Sequence, residues 1–307
     1  MTDPKPIIAI VGATGTQGGS VVNALLQSGH FAVRALTRNA QSDSAKALTA
    51  RGAEAVECNV YDPATLDRAF RGVHGVFATT YQDMQGDRAH PETDQGKNIA
   101  DASQRAGVKH VVFSTLPSAN KLSGGKYKGV QHFDDKAVVA DYMRELGLPT
   151  TFFNLGYYMN NLTTIPIVYQ KSGADAYEFL LPVPGNTTVP VVDVAADIGR
   201  CASYSFLHPE KTVGQEYLIA SGFSTFDTLT SQLSQFTHKD IRVRQLTPEE
   251  QAKHPFYGIE DYNQMFQYYR DFGYSSELDL TKTEKTFGKL TSFADFLARE
   301  KHVPLPE

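Results

Sequence analysis

A glycine-rich loop close to the start of the chain limits the fold more than any other feature. Ile7–Val11 is an apolar run of strand length, and it leads directly into the sequence GATGTQG at positions 12–18. In a loop with this spacing, Gly12 allows a tight turn, Gly15 lets backbone amides approach a pyrophosphate, and Gly18 lets the next helix pack closely on the strand. The sequence therefore predicts a strand, a phosphate-binding loop and a helix in succession.

Strand-like and helix-like segments alternate through the first half of the chain. The predicted strands are Ile7–Val11, Phe31–Thr37, Ala53–Cys58, Val73–Thr79, His110–Ser114 and Thr150–Leu155. The predicted helices are Gly18–Ser28, Ser44–Arg51, Pro63–Phe70, Glu92–Ala106 and Gly129–Leu146. Such alternation is typical of βαβ units with right-handed crossovers. We therefore predict an α/β protein with an NAD(P)-binding Rossmann fold, which is a doubly wound parallel sheet.

The alternation ends after Leu155. Val191–Phe206 has the pattern of a strand entering a helix, and Glu216–Ala220 that of another strand. Further helices are predicted at Phe226–Phe236, Pro248–Ala252, Asp261–Phe272 and Phe293–Arg299. An aromatic-rich stretch is interpreted as core: Tyr257, Tyr262, Phe266, Tyr268 and Tyr269. We expect an NAD(P)-binding domain at 1–155, to which 190–222 returns, and a smaller, mostly helical substrate or partner domain at 156–189 and 223–307.

Composition excludes several classes of protein. The 307 residues carry 29 basic and 34 acidic side chains, a net charge of −5, so direct capture of nucleic acid or of an anionic membrane is not expected. No apolar run approaches the roughly 18–20 residues that span a bilayer. Cys58 and Cys201 cannot form a disulfide framework, and the nine histidines are scattered, so no metal site is predicted. Because the N-terminus lacks the layout of a secretory signal, we expect a cytosolic protein, with the nucleus as the alternative.

The residues after the second predicted strand bear on the choice of nucleotide. NAD-specific sites usually carry Asp or Glu there, which binds the ribose hydroxyls. This sequence has Thr37-Arg38-Asn39 instead, and the next acid is Asp43. Arg38 would attract a 2′-phosphate through charge-assisted hydrogen bonds, so NADP(H) is predicted in preference to NAD(H). A solvated loop arginine is the alternative interpretation, and Lys46 is a weaker second candidate for the phosphate.

Polar residues end the fourth predicted strand. Thr79-Thr80-Tyr81 lies where the strand order of such a sheet reverses, which is where ligands bind. We expect these residues to line the pyrophosphate and the nicotinamide ribose. A simple strand terminus is the alternative.

Short sequence motifs along nearly the whole chain together match the pattern of one protein family. They are Gly12–Val21 (GATGTQGGSV), Ala35–Asn39 (ALTRN), Thr79–Tyr81 (TTY), Gln95–Lys97 (QGK), Val111–Leu116 (VVFSTL), His132–Lys136 (HFDDK), Tyr158–Leu162 (YMNNL) and Leu246–Glu249 (LTPE). As a set they resemble the NmrA-like family, an atypical branch of the short-chain dehydrogenase/reductase superfamily. The resemblance implies a Rossmann domain with a small C-terminal domain that senses NAD(P) rather than turning over substrate. Members include fungal regulators that bind a GATA-type transcription factor, and a human NADPH sensor.

The resemblance also assigns residues to the cofactor. Asn59 occupies a position near the adenine where that family commonly has an aspartate. The full set of predicted cofactor-binding residues is Gly12, Thr14, Gly15, Thr16, Gln17, Gly18, Arg38, Asn59, Thr79, Thr80, Tyr81, Ser114, Lys136, Tyr158, Asn160 and Asn161.

The HFDDK motif stands where short-chain dehydrogenases have a Tyr-x-x-x-Lys pair on one helix face. In that pair the lysine binds the nicotinamide ribose and the tyrosine transfers a proton. Here Lys136 matches, whereas His132 replaces the tyrosine. Both are candidate catalytic residues, with His132 as a general acid. The alternative is a packing or hydrogen-bonding histidine, because NmrA-like proteins share it and are generally regarded as lacking dehydrogenase activity.

Three functions follow as hypotheses. The first is an NADP(H)-binding redox sensor that acts through a protein partner such as a transcription regulator. The second is an NADPH-dependent reductase of a small carbonyl, enone or quinone, and the third is a scaffold that has lost the nucleotide. A monomer or a homodimer is expected.

Overall fold

The computed structural model describes residues 4–81, 91–164, 169–253, 259–300, 302–303 and 305. The chain forms two compact units, each built from three segments. The first unit comprises Met1–Ser118, His132–Asn154 and Val194–Tyr217. The second comprises Ala119–Gln131, Leu155–Asp193 and Leu218–Glu307.

Strands and helices alternate through the first half of the chain, as a βαβ protein requires, and this order is lost after residue 155. The strands are β1 (Ile7–Ile10), β2 (Ala32–Thr37), β3 (Glu54–Glu57), β4 (Gly75–Ala78), β5 (His110–Thr115), β6 (Thr150–Leu155), β7 (Tyr157–Tyr158), β8 (Tyr169–Lys171), β9 (Ala176–Leu181), β10 (Thr188–Val192), β11 (Glu216–Ile219), β12 (Gly222–Thr225) and β13 (Asp240–Gln245). The α-helices are α1 (Thr16–Ser28), α2 (Asp43–Ala50), α3 (Pro63–Ala69), α4 (Glu92–Ala106), α5 (Ala119–Leu122), α6 (Gln131–Glu145), α7 (Asn161–Thr164), α8 (Gly199–Leu207), α9 (Pro209–Thr212), α10 (Phe226–Thr237), α11 (Pro248–Lys253), α12 (Ile259–Phe272), α13 (Leu280–Phe287) and α14 (Phe293–Arg299).

A seven-stranded sheet organises the first unit, in the order β11-β6-β5-β4-β1-β2-β3. The pairings among β1 to β6 are parallel. Every residue of β4 and of β5 is buried, as expected for strands that helices cover on both faces. This is the doubly wound Rossmann arrangement, so the predicted fold class is confirmed.

Close packing of α4 on α6 depends on Gly96. A Cβ added at Gly96 would overlap both methyl groups of Val139. The glycine therefore lets the two helices approach more closely than ordinary side chains would. Glu92 and Lys136 lie one turn earlier on the same two helices, and this approach brings them together.

The region predicted to return to the main sheet is divided between the units. β11 forms the edge of the seven-stranded sheet, and α8 packs on α1 after a π-helix at Val194–Ile198. The Ser20 hydroxyl donates to the Ala195 carbonyl at 2.8 Å and accepts from the Gly199 amide at 2.9 Å, so α1 is bonded to this irregular turn. β10, in contrast, pairs with β7 and β12 in the second unit.

The second unit combines helices with two small sheets, ordered β12-β10-β7 and β13-β9-β8. The predicted helices are present as α10, α11, α12 and α14, whereas the sequence analysis does not predict β8, β9, β13 or α13. β9 alternates buried and half-buried residues, which matches a strand with one face in the core. Phe266, Tyr268 and Tyr269 are buried, as interpreted from the sequence, whereas Tyr262 is half-buried. Tyr257 lies outside the described residues.

Candidate functional site

The glycine loop turns sharply after β1 and is held by its own backbone. Gly12 has φ +68°, in the left-handed region that favours glycine. The Gly15 amide donates to the Gly12 carbonyl at 2.9 Å. A Cβ at Gly18 would overlap that carbonyl, so positions 12 and 18 require glycine on backbone grounds. A Cβ at Gly15 would lie 3.3 Å from the same oxygen, which is a tight contact.

Helix α1 starts directly behind this loop with an uncapped N-terminus. No side chain caps it, because its N-cap is Gly15, and its first turn contains no acidic residue. The first N–H groups of a helix lack intrahelical acceptors and form the positive end of the helix dipole. Thr14, Gly15 and Thr16 are exposed, while Gln17 is half-buried. The loop is therefore a cradle of backbone amides that fits a pyrophosphate, as the dinucleotide prediction requires.

Arg38 follows β2, which neighbours β1 in the sheet. Both Arg38 and Lys46 are exposed, and the Arg38 guanidinium carbon lies 5.8 Å from the centroid of the Tyr81 ring. Asp43 belongs to the first turn of α2 rather than to the end of β2. An exposed guanidinium at a strand end without an acid has the charge and the donors that a 2′-phosphate would require.

The side chain of Gln95 holds the backbone of Tyr81. Its Oε1 accepts from the Tyr81 amide at 3.2 Å, and its Nε2 donates to the Tyr81 carbonyl at 2.7 Å. Nε2 also donates to the Tyr61 hydroxyl at 2.7 Å. Gln95 is 1% exposed. It belongs to the QGK motif, but the sequence analysis does not assign it this role.

Thr80, Glu92 and Lys136 form a buried polar cluster at the end of β4. The Thr80 hydroxyl donates to Glu92 Oε1 at 2.6 Å. Lys136 Nζ donates to the Thr80 carbonyl at 2.8 Å and to the Thr80 hydroxyl at 2.9 Å, and it forms an ion pair with Glu92 Oε1. The Lys136 and Glu92 side chains are 11% and 1% exposed.

Sequence reasoning missed Glu92 in this cluster. The available signal was an acid in the first turn of α4 with Gly96 one turn later. An acid at a helix N-terminus is usually explained by the helix dipole alone, so its partner becomes visible only in three dimensions.

Other predicted residues lie around the same sheet edge. A Cβ at Gly12 would lie 3.3 Å from Thr79 Cγ2, so Thr79 faces the glycine loop. Ser114 is buried in β5, and the Thr115 hydroxyl donates to the Lys136 carbonyl at 3.2 Å. Asn59 is exposed after β3, and its Oδ1 accepts from the amide of Tyr61 at 3.1 Å.

His132 lies near the start of α6, one turn before Lys136. It is half-buried, and its ring meets the Phe133 ring edge-on with centroids 4.8 Å apart. The first unit thus brings together the glycine loop, Thr79, Thr80 and Lys136, and it places Arg38 against Tyr81.

Three predicted cofactor residues lie in the second unit instead. Tyr158 ends β7, and Asn161 begins α7. The Asn160 carbonyl accepts from the amides of Thr163 and Thr164 at 3.0 and 2.9 Å.

The described residues contain neither a metal-binding cluster nor a membrane-spanning helix. In the part of the chain that the structure describes, no group of three or more His, Cys, Asp or Glu side chains could hold a metal ion. Among those same residues, no helix has the length and apolar character needed to cross a membrane.

Comparison with known sequences agrees with the family that the motifs resemble. Residues 4–297 match the NmrA-like family. The chain is 43% identical over 248 residues to the NmrA-like family domain-containing oxidoreductase himF of Aspergillus japonicus, covering 77% of this chain and 74% of that protein. It is 32% identical over 285 residues to the NmrA-like family domain-containing oxidoreductase FrzB of Cladobotryum sp., covering 87% and 84%.

Solved structures share the fold. NmrA, a negative transcriptional regulator, in complex with NADP, superimposes with a TM-score of 0.78 at 23% identity, covering 97% of this chain and 95% of that one. The NADPH-dependent quinone oxidoreductase QOR2 of Escherichia coli gives 0.77 at 20% identity, covering 95% and 98%. The family match over residues 4–297, with relatives at 43% and 32% identity, establishes that this chain belongs to the NmrA-like family.

Proposed function

We propose that this protein binds NADP(H) on its first unit. The observation that carries the proposal is the uncapped N-terminus of α1 behind a loop that requires glycine, with the exposed Arg38 at the next strand end. The amides of the loop and of α1 would hold the pyrophosphate, and Arg38 would hold the 2′-phosphate. Structures of NmrA with NADP and with NAD support nucleotide binding.

The remaining predicted residues complete this proposal. Asn59 would lie near the adenine, and Thr79 and Tyr81 would line the pyrophosphate. Ser114 and Lys136 would lie on the nicotinamide side. Tyr158, Asn160 and Asn161, which belong to the second unit, stay predicted cofactor residues. We assign nucleotide binding to the first unit, and selection of a substrate or of a protein partner to the second.

A redox sensor is the first candidate role. His132 in place of the dehydrogenase tyrosine supports it, because the usual proton donor is absent from that position. A sensor requires NADPH and NADP⁺ to stabilise two conformations to different extents. The partner would be a transcription regulator, as the description of NmrA as a negative transcriptional regulator suggests, and the compartment would be the cytosol or the nucleus.

An NADPH-dependent reductase is the second candidate role. It is favoured by the curated relatives at 43% and 32% identity, which are named oxidoreductases. When bound, the cofactor would supply a hydride to a carbonyl, enone or quinone. Lys136 and His132 would then hold the ribose and move a proton.

Calorimetric titration with NADPH, NADP⁺ and NAD⁺ tests the shared part of both roles. We expect NADPH and NADP⁺ to bind more tightly than NAD⁺. Equal affinity for all three would contradict the assignment of Arg38, and absence of binding would leave the scaffold hypothesis.

A further inference from the structure

Lys136 has no unused donor in this structure. An ammonium carries three N–H donors, and those of Lys136 have three acceptors: the Thr80 carbonyl, the Thr80 hydroxyl and Glu92 Oε1. Among the residues that the structure describes, Glu92 is the one carboxylate within ion-pair distance of this ammonium. Its carboxylate therefore determines where the charge of Lys136 lies.

The ammonium of Lys136 lies at the carboxyl end of β4, and the glycine loop follows the carboxyl end of the neighbouring strand β1. Thr80 follows Thr79, whose methyl group faces Gly12, and β4 lies next to β1. The backbone of Lys136 is held as well, because its carbonyl accepts from the Thr115 hydroxyl. The ammonium is thus held at the end of β4, and the backbone that carries it is bonded to the end of β5.

One of the three acceptors can be exchanged. The Thr80 hydroxyl keeps its own 2.6 Å hydrogen bond to Glu92 Oε1 when Lys136 no longer donates to it. Glu92 Oε2 is buried and has no hydrogen-bond partner among the described residues, so the carboxylate has further capacity to accept. The ion pair can therefore persist while one N–H of Lys136 turns to a new acceptor.

We propose that Glu92 is the positioning residue for Lys136. Its carboxylate holds the ammonium at the end of β4, from where one N–H exchanges the Thr80 hydroxyl for a ribose hydroxyl on the nicotinamide side of NADP(H). Glu92 acts through Lys136 and does not touch the nucleotide. This inference rests on the proposed function.

Calorimetric titration with two ligands, one with and one without the nicotinamide half, tests the role of Glu92. NADPH carries the nicotinamide half, and 2′,5′-ADP lacks that half but keeps the adenosine and its phosphates. Glu92→Gln keeps the size of the side chain and removes its charge, so NADPH affinity falls roughly tenfold while 2′,5′-ADP affinity stays unchanged. Glu92→Asp keeps the charge and recovers part of that loss. Asp94→Asn, which removes an exposed charge from the same first turn, binds both ligands like the unmodified protein.

Other results would overturn the inference. Equal losses for both ligands in Glu92→Gln, or weaker NADPH binding by Glu92→Asp than by Glu92→Gln, would indicate a packing role. Unchanged NADPH binding by Glu92→Gln would remove the inference and leave the proposed function standing. If the unmodified protein binds neither ligand, the proposed function fails and the inference fails with it.

A second comparison applies where Glu92→Gln does not fold. Lys136→Gln and the double variant Glu92→Gln/Lys136→Gln are measured, the latter having neither buried charge. Because Glu92 acts only through Lys136, the two variants bind NADPH equally. Different affinities would overturn the inference.

Discussion

Single side chains of the first unit differ in how readily they can meet a ligand. Arg38 is exposed and packs against the ring of Tyr81, so a phosphate can approach it without opening the core. Lys136 is nearly buried and already bonded to Glu92 and Thr80, so it must exchange a partner. In the proposed complex the exposed arginine would therefore contribute to affinity directly, whereas the lysine would contribute only after exchanging a hydrogen-bond partner.

Replacing Arg38 by Ala should separate the two nucleotides. Loss of charge-assisted hydrogen bonds to the 2′-phosphate costs about 1.5–3 kcal/mol, roughly 10- to 100-fold in NADPH affinity. NADH affinity should stay nearly constant, because NADH has no 2′-phosphate. Isothermal titration with both nucleotides measures the difference, and Arg51→Ala, at an exposed arginine after α2, is the matched control. Equal losses for NADPH and NADH would remove Arg38 from the phosphate site.

His110 is a buried neutral imidazole in β5. Its Nε2 lies 2.8 Å from the Thr151 hydroxyl, which itself donates to the Thr212 carbonyl at 2.7 Å. The hydroxyl must therefore accept from His110 Nε2–H. Nδ1 is buried without a partner among the described residues. Burial, with a smaller contribution from the charge of His74, lowers the pKa of His110 from 6.5 to about 4.

This pKa predicts a loss of stability in acid. The pKa of His110 is lower in the folded than in the unfolded protein, so the unfolded state binds a proton more readily as the pH falls. The free energy of unfolding therefore has its full value above pH 6.5 and decreases as the pH approaches 4, by about 3 kcal/mol in total. Urea unfolding between pH 7.5 and 4.5 measures it. His110→Gln keeps a donor at this position and should flatten that part of the profile, while His30→Gln, at an exposed histidine, should not. Identical profiles for both variants would contradict the prediction.

At the scale of elements, the start of α1 places two adjacent glycines in different surroundings. A Cβ at Gly18 would overlap the Gly12 carbonyl and contact the Ala13 Cα, both backbone atoms that cannot rotate away. A Cβ at Gly19 would meet only the Ala13 carbonyl oxygen, at an ordinary distance of 3.7 Å. The close approach of α1 to the glycine loop therefore depends on the missing side chain at Gly18 and not on Gly19.

Gly18→Ala and Gly19→Ala should have opposite effects. The first forces the loop away from α1 and should lower the free energy of unfolding by about 1–3 kcal/mol, with weaker NADPH binding. The second replaces a helical glycine without a clash and should raise it by about 0.5–1 kcal/mol. Chemical denaturation and NADPH titration of both variants check this. If Gly18→Ala leaves both the free energy of unfolding and the NADPH affinity unchanged, the loop can shift to accommodate the methyl group and the prediction is wrong.

Elements governed by local pattern could be predicted, and those governed by distant pairing could not. The strand predicted at Val73–Thr79 contains β4, because a buried parallel strand has a continuous apolar sequence. β9 and β13 pair along six residues each, but they come from separate parts of the chain. Their short alternating patterns specify one buried face and not the partner strand.

The site shows the same division. The glycine loop and Arg38 can be picked out as candidates from the sequence because each stands at a defined place next to a strand end. Glu92 and Gln95 are not, because their roles depend on contacts with Lys136 and Tyr81 from other elements. A sequence shows their types but not these partners.

For the whole molecule, the two candidate roles differ in whether NADPH is consumed. We expect no substantial NADPH oxidation with a panel of carbonyls, enones and quinones, because His132 replaces the tyrosine donor. His132→Ala should leave NADPH affinity nearly unchanged. Absorbance at the NADPH band, with and without each substrate, measures turnover. Steady oxidation that His132→Ala slows roughly a hundredfold at unchanged affinity would establish a reductase with a histidine acid.

The interleaving of the two units bears on how the chain is synthesised. A nascent chain emerges from its N-terminus, and domains fold as their segments become available. When β6 has been made, the sheet of the first unit still lacks β11, and α1 still lacks α8, until residues 156–219 have followed. During that interval β6 is an open strand edge, which is a template for pairing with other chains. Chains truncated or stalled after residue 155 are therefore expected to aggregate rather than to yield an isolated nucleotide-binding module.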